Sequence, residues 1–302
     1  MKKHYIQYII FKIRYTISSI INWFVPSGYY RSRIKEFIAF PHIKNNKKTS
    51  KYKKKVDIAF CFNKNLINYA KVTIISLLEN SKDKCDYNIY CVIDNSISEK
   101  DKEVYFNLMK RYSNNTLTFL YVNNDFNKSY LGNWNIGIYY RLQLVKLLPD
   151  LDKVIYADVG TVFLNDLSDA DKIDLKDNII AGVKDRDDYI NSGFCIFNLK
   201  QIRTLGLYEK WIHLSRINKY DFPDQDLLNY TTRNKQKYIS LKYNFIPSVY
   251  GQNLKTSTYS KKDYKDIKNN ITMIHFIGHA KPWVKDSVYS HYWKKYNSKK
   301  YK

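Results

Sequence analysis

Seven short polar clusters carry the residues of this chain that could do chemistry. They are Asn63-Lys64-Asn65, Arg141, Asp158, Asp185, Asn191-Ser192-Gly193, Asp224-Gln225-Asp226 and the stretch from His275 to Trp283. Asp158 is central. The apolar run Val154-Ile155-Tyr156-Ala157 delivers this carboxylate, and a second run, Thr161-Val162-Phe163, follows. A β-branched run bounded by polar residues reads as a buried strand. In an α/β sheet, the end of such a strand is where ligands and metals bind. Taken singly, Asp158 could cap a turn, Arg141 could pair with a neighbour on a helix surface, and His275 could be a satisfied core histidine. Their joint order along an α/β chain argues for a common site.

The elements that must position them alternate. Val56 to Phe62 reads as a strand, Tyr69 to Glu79 as a helix, and Tyr87 to Ile93 as a second strand. Ser98 opens a helix running to about Tyr112, with Asp101 three residues on as a capping partner. Thr116 to Val122 is a third strand, and Ile138 to Leu148 a helix closed by Pro149. After the Asp158 strand come strands at 179–183 and 194–198. A helix spans about Lys200 to Asn218, and a short one Asp224 to Thr232. Apolar pieces follow near 239–241 and 271–277. Strands this apolar, alternating with helices, predict an α/β fold with a mostly parallel, Rossmann-like sheet covered on both faces.

Composition narrows the function. The chain has 302 residues, 44% of them hydrophobic, enough for a substantial core. Only 9 glycines are present, and neither a G-x-x-x-x-G-K-[ST] nor a G-x-G-x-x-G motif occurs. Cys61, Cys85, Cys91 and Cys195 have neither metal-finger spacing nor the density of a disulfide framework. They read as buried free thiols in a reducing compartment. The formal net charge is +23. Up to Lys55 there are fourteen Lys/Arg against one acid, Glu36, a net of +13, so over half the excess precedes the first strand. Basic ends imply an anionic partner, a membrane surface or a nucleic acid.

Residues 4–25 place Ile6, Ile9, Ile10, Ile13, Ile17, Ile20, Ile21 and Phe24 in one helical stripe. Lys12 and Arg14 disfavour a transmembrane span and a signal peptide. Pro26-Ser27-Gly28 ends the helix, and Tyr29-Tyr30-Arg31-Ser32-Arg33 adds aromatics beside positive charge. An amphipathic helix with a polybasic flank is expected to anchor the protein at an anionic membrane surface, although it could instead pack on the main body. The charge sits on the ends, and no nucleic-acid module is recognisable, so a nucleic acid is not the expected partner.

Tyr156-Ala157-Asp158, Asn191-Ser192-Gly193, Asp224-Gln225-Asp226-Leu227-Leu228-Asn229 and the His275–Trp283 stretch resemble family 8 glycosyltransferases, over about residues 56–285. These are retaining, nucleotide-sugar-dependent enzymes with a GT-A fold, related to glycogenin and to bacterial lipooligosaccharide galactosyl- and glucosyltransferases. The resemblance implies a domain over 56–288, flanked by residues 1–55 and a basic tail at 289–302. It implies base and ribose contacts at Ala59, Cys61, Asn63 and Asn65. Arg141, Gly278 and Lys281 would meet the diphosphate, and Asp185 and Asn191 the donor sugar. Asp224 and Gln225 would face the anomeric carbon. Retention by front-face attack and by a covalent intermediate both stay open. It further implies Mn²⁺ (or Mg²⁺) held by Asp158 and His275. The family's second carboxylate is replaced here by Gly160, so a weakened metal site is expected.

The implied activity is transfer of a hexose from a UDP-sugar to lipopolysaccharide or another surface glycan, on the cytoplasmic face of the membrane. A degenerate relative that binds sugar nucleotide or glycan without efficient transfer is the alternative, resting on Gly160.

Overall fold

The computed structural model describes residues 55–82, 84–186, 188–247, 259–267, 269–278, 281–283 and 289–298. The expected amphipathic helix and basic segment before residue 55 lie outside the described residues.

A seven-stranded sheet forms the centre, in the order β3-β2-β1-β4-β7-β6-β8. These strands are β1 (Val56–Cys61), β2 (Tyr87–Ile93), β3 (Thr116–Tyr121), β4 (Lys153–Ala157), β6 (Ile180–Arg186), β7 (Tyr189–Asn198) and β8 (Gln236–Ile239). Strands β1 to β4 pair in parallel, as the alternating pattern predicts. Beyond β4 the sheet turns mixed, because β7 runs antiparallel to both β4 and β6. The short connection from β6 to β7 accounts for their antiparallel pairing, since adjacent strands joined by a short turn must be antiparallel.

Successive residues along each strand feed opposite cores. Ile58 and Phe60 join the core that holds Ile74, Ile89 and Phe163. Ala59 and Cys61 join the other, with Tyr139, Tyr156, Phe197 and Trp211. Each fully buried Ile or Phe contributes about 1.5–3 kcal/mol of transfer free energy, so both faces are strongly determined. Helices α1 (Ile67–Asn80) and α2 (Glu99–Met109) follow β1 and β2, and the expected capping box of α2 forms between Ser98 and Asp101. All four cysteines are buried free thiols.

Three elements differ from expectation. The segment expected as a helix over 138–148 is a 3-10 helix, Ile136–Gln143, capped by Asn135 and continued by the short α3 (Leu144–Leu147). After the one-turn α4 (Ser168–Asp171), the expected helix over 200–218 is two, α5 (Leu199–Thr204) and α6 (Leu207–Ile217). They break at Gly206, whose φ of +60° ends α5 in the left-handed conformation that glycine adopts freely. Helix α7 (Pro223–Thr232) begins at Pro223, which suits a first turn. The basic tail expected over 289–302 includes α9 (Ser290–Tyr296), which follows α8 (Lys261–Ile267) and buries Trp293 and Tyr296.

A second, two-stranded sheet positions the site. Strand β5 (Thr161–Phe163) pairs antiparallel with β9 (Met273–His275), setting Thr161 opposite His275. The chain past Asp158 thereby meets His275, more than a hundred residues away in sequence. Among the described residues no helix is long and apolar enough to cross a membrane.

Candidate active site

Arg141 is the hub. It leaves the 3-10 helix with 8% exposure and reaches three elements at once. One terminal nitrogen lies 2.9 Å from Asp158 Oδ1, and Nε lies 3.1 Å from Asp224 Oδ2. The other terminal nitrogen donates to the Ser192 carbonyl at 2.8 Å and to Ser192 Oγ at 3.0 Å. The guanidinium also stacks over the Tyr156 ring at 4.6 Å, and the Tyr156 hydroxyl donates to Asp158 Oδ1. A planar fork can serve all these partners, whereas an ammonium could not. Arg141 is thus a buried bridge rather than a surface ion pair.

The two carboxylates it joins differ in accessibility. The Asp158 side chain keeps 24% of its surface exposed and Asp224 only 9%, so Asp158 is the one facing an incoming ligand. Burial alone would raise the pKa of Asp158, but the Arg141 guanidinium, the Tyr156 hydroxyl and the Lys281 ammonium outweigh it and hold the carboxyl below its usual range. Burial wins at Asp224 and pushes it up to about 6, against Arg141 and the backbone N–H groups of the first turn of α7. Gln225, next along that turn, accepts from the Ser192 N–H at 2.8 Å.

Asn191-Ser192-Gly193 is not a turn before a strand but part of β7 itself. Gly182 pairs with Cys195 and Val183 with Asn191, so β7 bulges between them. A bulge re-aims side chains locally, and here it turns Ser192 towards Arg141. The Asp158 N–H donates to the Gly193 carbonyl at 2.9 Å. A Cβ at Gly193 would lie 2.2 Å from His275 Cε1, so only glycine lets the imidazole lie against the strand. His275 Nε2 stands 3.6 Å from Asp158 Oδ2. Burial lowers its pKa to about 4, helped by Lys281 and Arg141 and opposed by Asp158. The imidazole is therefore neutral near pH 7, and this contact is not an ion pair.

Lys281 closes the site. Its Nζ donates to the Phe276 carbonyl at 2.9 Å, and burial lowers its pKa against the attraction of Asp158. Gly278 sits at φ +54° in the turn between His275 and Lys281. His279 lies outside the described residues.

The other expected residues are placed less centrally. Ala59 is fully buried and Cys61 is 8% exposed. Burial raises the Cys61 thiol, so it stays protonated. Asn63 caps the turn after β1 through the Asn65 N–H, and Asn65 is exposed beside an open cleft of about 420 Å³ that Tyr69 and Trp283 also line. Asp185 is exposed near the end of β6. Sequence reasoning missed two buried members. Tyr156 reads as one more apolar strand residue. Asn244, fully buried, bridges Asn191 and His275 in a segment with neither strand nor helix period.

The resemblance also implies a divalent metal. Asp158 and His275 offer an oxygen and a neutral imidazole nitrogen close enough to share one ion, a donor set suited to Mn²⁺ or Mg²⁺. Among the described residues no group of three or more His, Cys, Asp or Glu side chains converges. Gly160 adopts φ +88°, with Trp283 nearest to where its Cβ would stand. Two protein ligands fit, and among the described residues no third converges with them.

The mixed α/β sheet with this site at its strand ends has the GT-A fold of solved glycosyltransferases. The chain belongs to glycosyl transferase family 8, whose model matches residues 57–287. It is 30% identical over 177 residues to the lipopolysaccharide 1,2-glucosyltransferase of Escherichia coli K12, covering 52% of each chain. A second E. coli lipopolysaccharide 1,2-glucosyltransferase is 27% identical, over 77% of this chain and 72% of its own. The fold matches the galactosyltransferase LgtC, solved with donor and acceptor sugar analogues, at a TM-score of 0.67 and 24% identity, over 80% of this chain and 95% of that one. The chain spans about half the length of the first of these relatives.

Proposed function

We propose that this glycosyltransferase moves a hexose from a UDP-sugar to lipopolysaccharide or another surface-glycan acceptor, with retention at the anomeric carbon. The observation that carries this reading is the Arg141 bridge, which sets Asp224 and Gln225 beside the more exposed Asp158. A departing nucleoside diphosphate needs positive charge aimed at it, and Arg141 and Lys281 are the cations of this site. Asp224 and Gln225 sit on the first turn of α7, fixed by Ser192, where a donor sugar's anomeric carbon is to be held and its developing positive charge stabilised. Asp185 and Asn191 bind sugar hydroxyls in this reading, Asn63 and Asn65 the ribose and base, with Ala59 and Cys61 shaping the floor beneath. Gly278 keeps the backbone close to the diphosphate.

Asp158 and His275 would hold a divalent cation, Mn²⁺ or Mg²⁺, which when bound neutralises the leaving diphosphate. With Gly160 in place of a carboxylate, its affinity is lower than a three-ligand site would give. On the acceptor side, Trp134 and Phe222 are 46% and 44% exposed, with ring centroids 5.9 Å apart, immediately before Pro223. Such a pair offers apolar faces for the C–H surface of a sugar. The relatives' lipopolysaccharide acceptors, together with the basic amphipathic stretch before residue 55, support work at the cytoplasmic face of a membrane.

The test is incubation with UDP-glucose, UDP-galactose or UDP-N-acetylglucosamine, Mn²⁺ and core-truncated lipopolysaccharide, followed by mass spectrometry. The expected result is an acceptor heavier by one sugar. No product and no UDP release from any donor would overturn the proposal.

A further inference from the structure

We infer that Asn244 and Asn191 form a polar relay that fixes the tautomer of His275, so that its Nε2 lone pair is aimed at Asp158 before any cation arrives. The polarity follows from one group whose role cannot be reversed, the Gly193 backbone N–H. It donates to the Asn191 side chain at 3.0 Å, so the atom there is the carbonyl oxygen, Oδ1. The Asn244 side chain meets that same oxygen at 2.8 Å and must present its NH₂. The opposite end of Asn244, its carbonyl oxygen, then faces His275 Nδ1 at 3.0 Å. Nδ1 therefore carries the proton and Nε2 the lone pair. The two members nearest the imidazole proton are sealed, Asn244 at 0% and His275 at 6% exposure, while Asn191 is partly buried. Neighbouring backbone holds it in place, since Phe245 N–H donates to Met273 and His275 N–H to Phe245.

The consequence is chemical. With Nδ1 protonated, Nε2 and Asp158 Oδ2 are two acceptors facing each other at 3.6 Å, an arrangement a shared cation satisfies. The other tautomer would donate from Nε2 to Asp158 and close that gap. Asn244 is thus a positioning residue, acting through His275. This inference rests on the reading of Asp158 and His275 as metal ligands, but its first readout does not.

Nitrogen-15 NMR of histidine-labelled, metal-free full chain reports which ring nitrogen of His275 bears the proton, with His275→Gln identifying the signal. The expected spectrum shows Nδ1–H. An Nε2–H spectrum in the unaltered protein overturns the relay outright. Asn244→Leu is expected to shift the population to Nε2–H and to weaken Mn²⁺ binding, read by calorimetry, about 10- to 100-fold, as loss of a ligand's supporting hydrogen bond does. Asn191→Asp keeps an acceptor for both Gly193 and Asn244 and should retain the Nδ1–H form. An Asn244→Leu protein with unchanged tautomer and unchanged Mn²⁺ affinity also overturns the relay. An Nδ1–H spectrum in a protein that binds no Mn²⁺ leaves the relay standing and removes the metal reading instead.

Discussion

At the scale of single residues, the site is a problem in charge compensation that Arg141 solves. Replacing it with methionine would strand Asp158 and Asp224 beside each other in a largely water-free pocket. Removing one partner of a buried ion pair typically costs about 3–5 kcal/mol. Arg141→Met is therefore expected to lower the unfolding free energy by that order in urea denaturation and to abolish transfer. Asp224 gives a pH signature. Its pKa is raised from 3.8 to about 6, so the folded state holds this proton more tightly than the unfolded chain does. Its favourable contribution is complete below pH 3.8 and lost as the pH rises through 6. Asp224→Asn should thus gain stability relative to the parent between pH 4 and 7, and a stability difference independent of pH across that window would contradict the burial argument. Arg141, Asp158, Asp224 and His275 stand out in the sequence as polar residues set among apolar ones, but only the family resemblance groups them, and the structure does bring the four side chains together. Tyr156 and Asn244 do not stand out, since a phenol on a strand counts towards the apolar pattern and a buried amide between Tyr243 and Phe245 has no periodicity to interrupt.

At the scale of elements, two glycines show why strand geometry decides the chemistry. Gly193 lies where β7 bulges, and the His275 ring occupies the space a side chain would need. Gly193→Ala is expected to cost about 1–3 kcal/mol by overpacking and to weaken Mn²⁺ binding by displacing the imidazole. A melting temperature and Mn²⁺ affinity both unchanged would show that the ring tolerates a Cβ. Gly160 tests the opposite idea, that restoring a carboxylate would strengthen the site. Its φ of +88° is strained for any L side chain, at a cost of about 1–3 kcal/mol. Gly160→Asp should therefore melt lower than the parent whatever it does to metal affinity. The parallel half of the sheet was readable because its apolar runs are continuous and evenly spaced by helices. The β7 bulge was not, because three polar residues inside a strand look like a loop until the partner strand shows the shifted register. The 3-10 helix carrying Arg141 was hidden too, since its apolar residues fit an α-helical period equally well.

At the scale of the whole molecule, the excess charge and the Arg141 site separate along the chain. The excess positive charge concentrates before Lys55, while the site is built from residues 141–281. Deleting residues 1–50 is expected to abolish binding to anionic vesicles while leaving UDP-sugar binding within about twofold; undiminished vesicle binding would contradict the anchoring role. The central claim, that the Arg141 site receives a nucleotide sugar, is tested most directly by calorimetric titration of UDP-glucose, UDP-galactose and UDP-N-acetylglucosamine into the full chain, with Mn²⁺ and with chelator. Saturable binding of at least one of them is predicted, strengthened by Mn²⁺ and lost in Arg141→Met and in Lys281→Met. Absence of binding for all three, or binding indifferent to both substitutions, would contradict it.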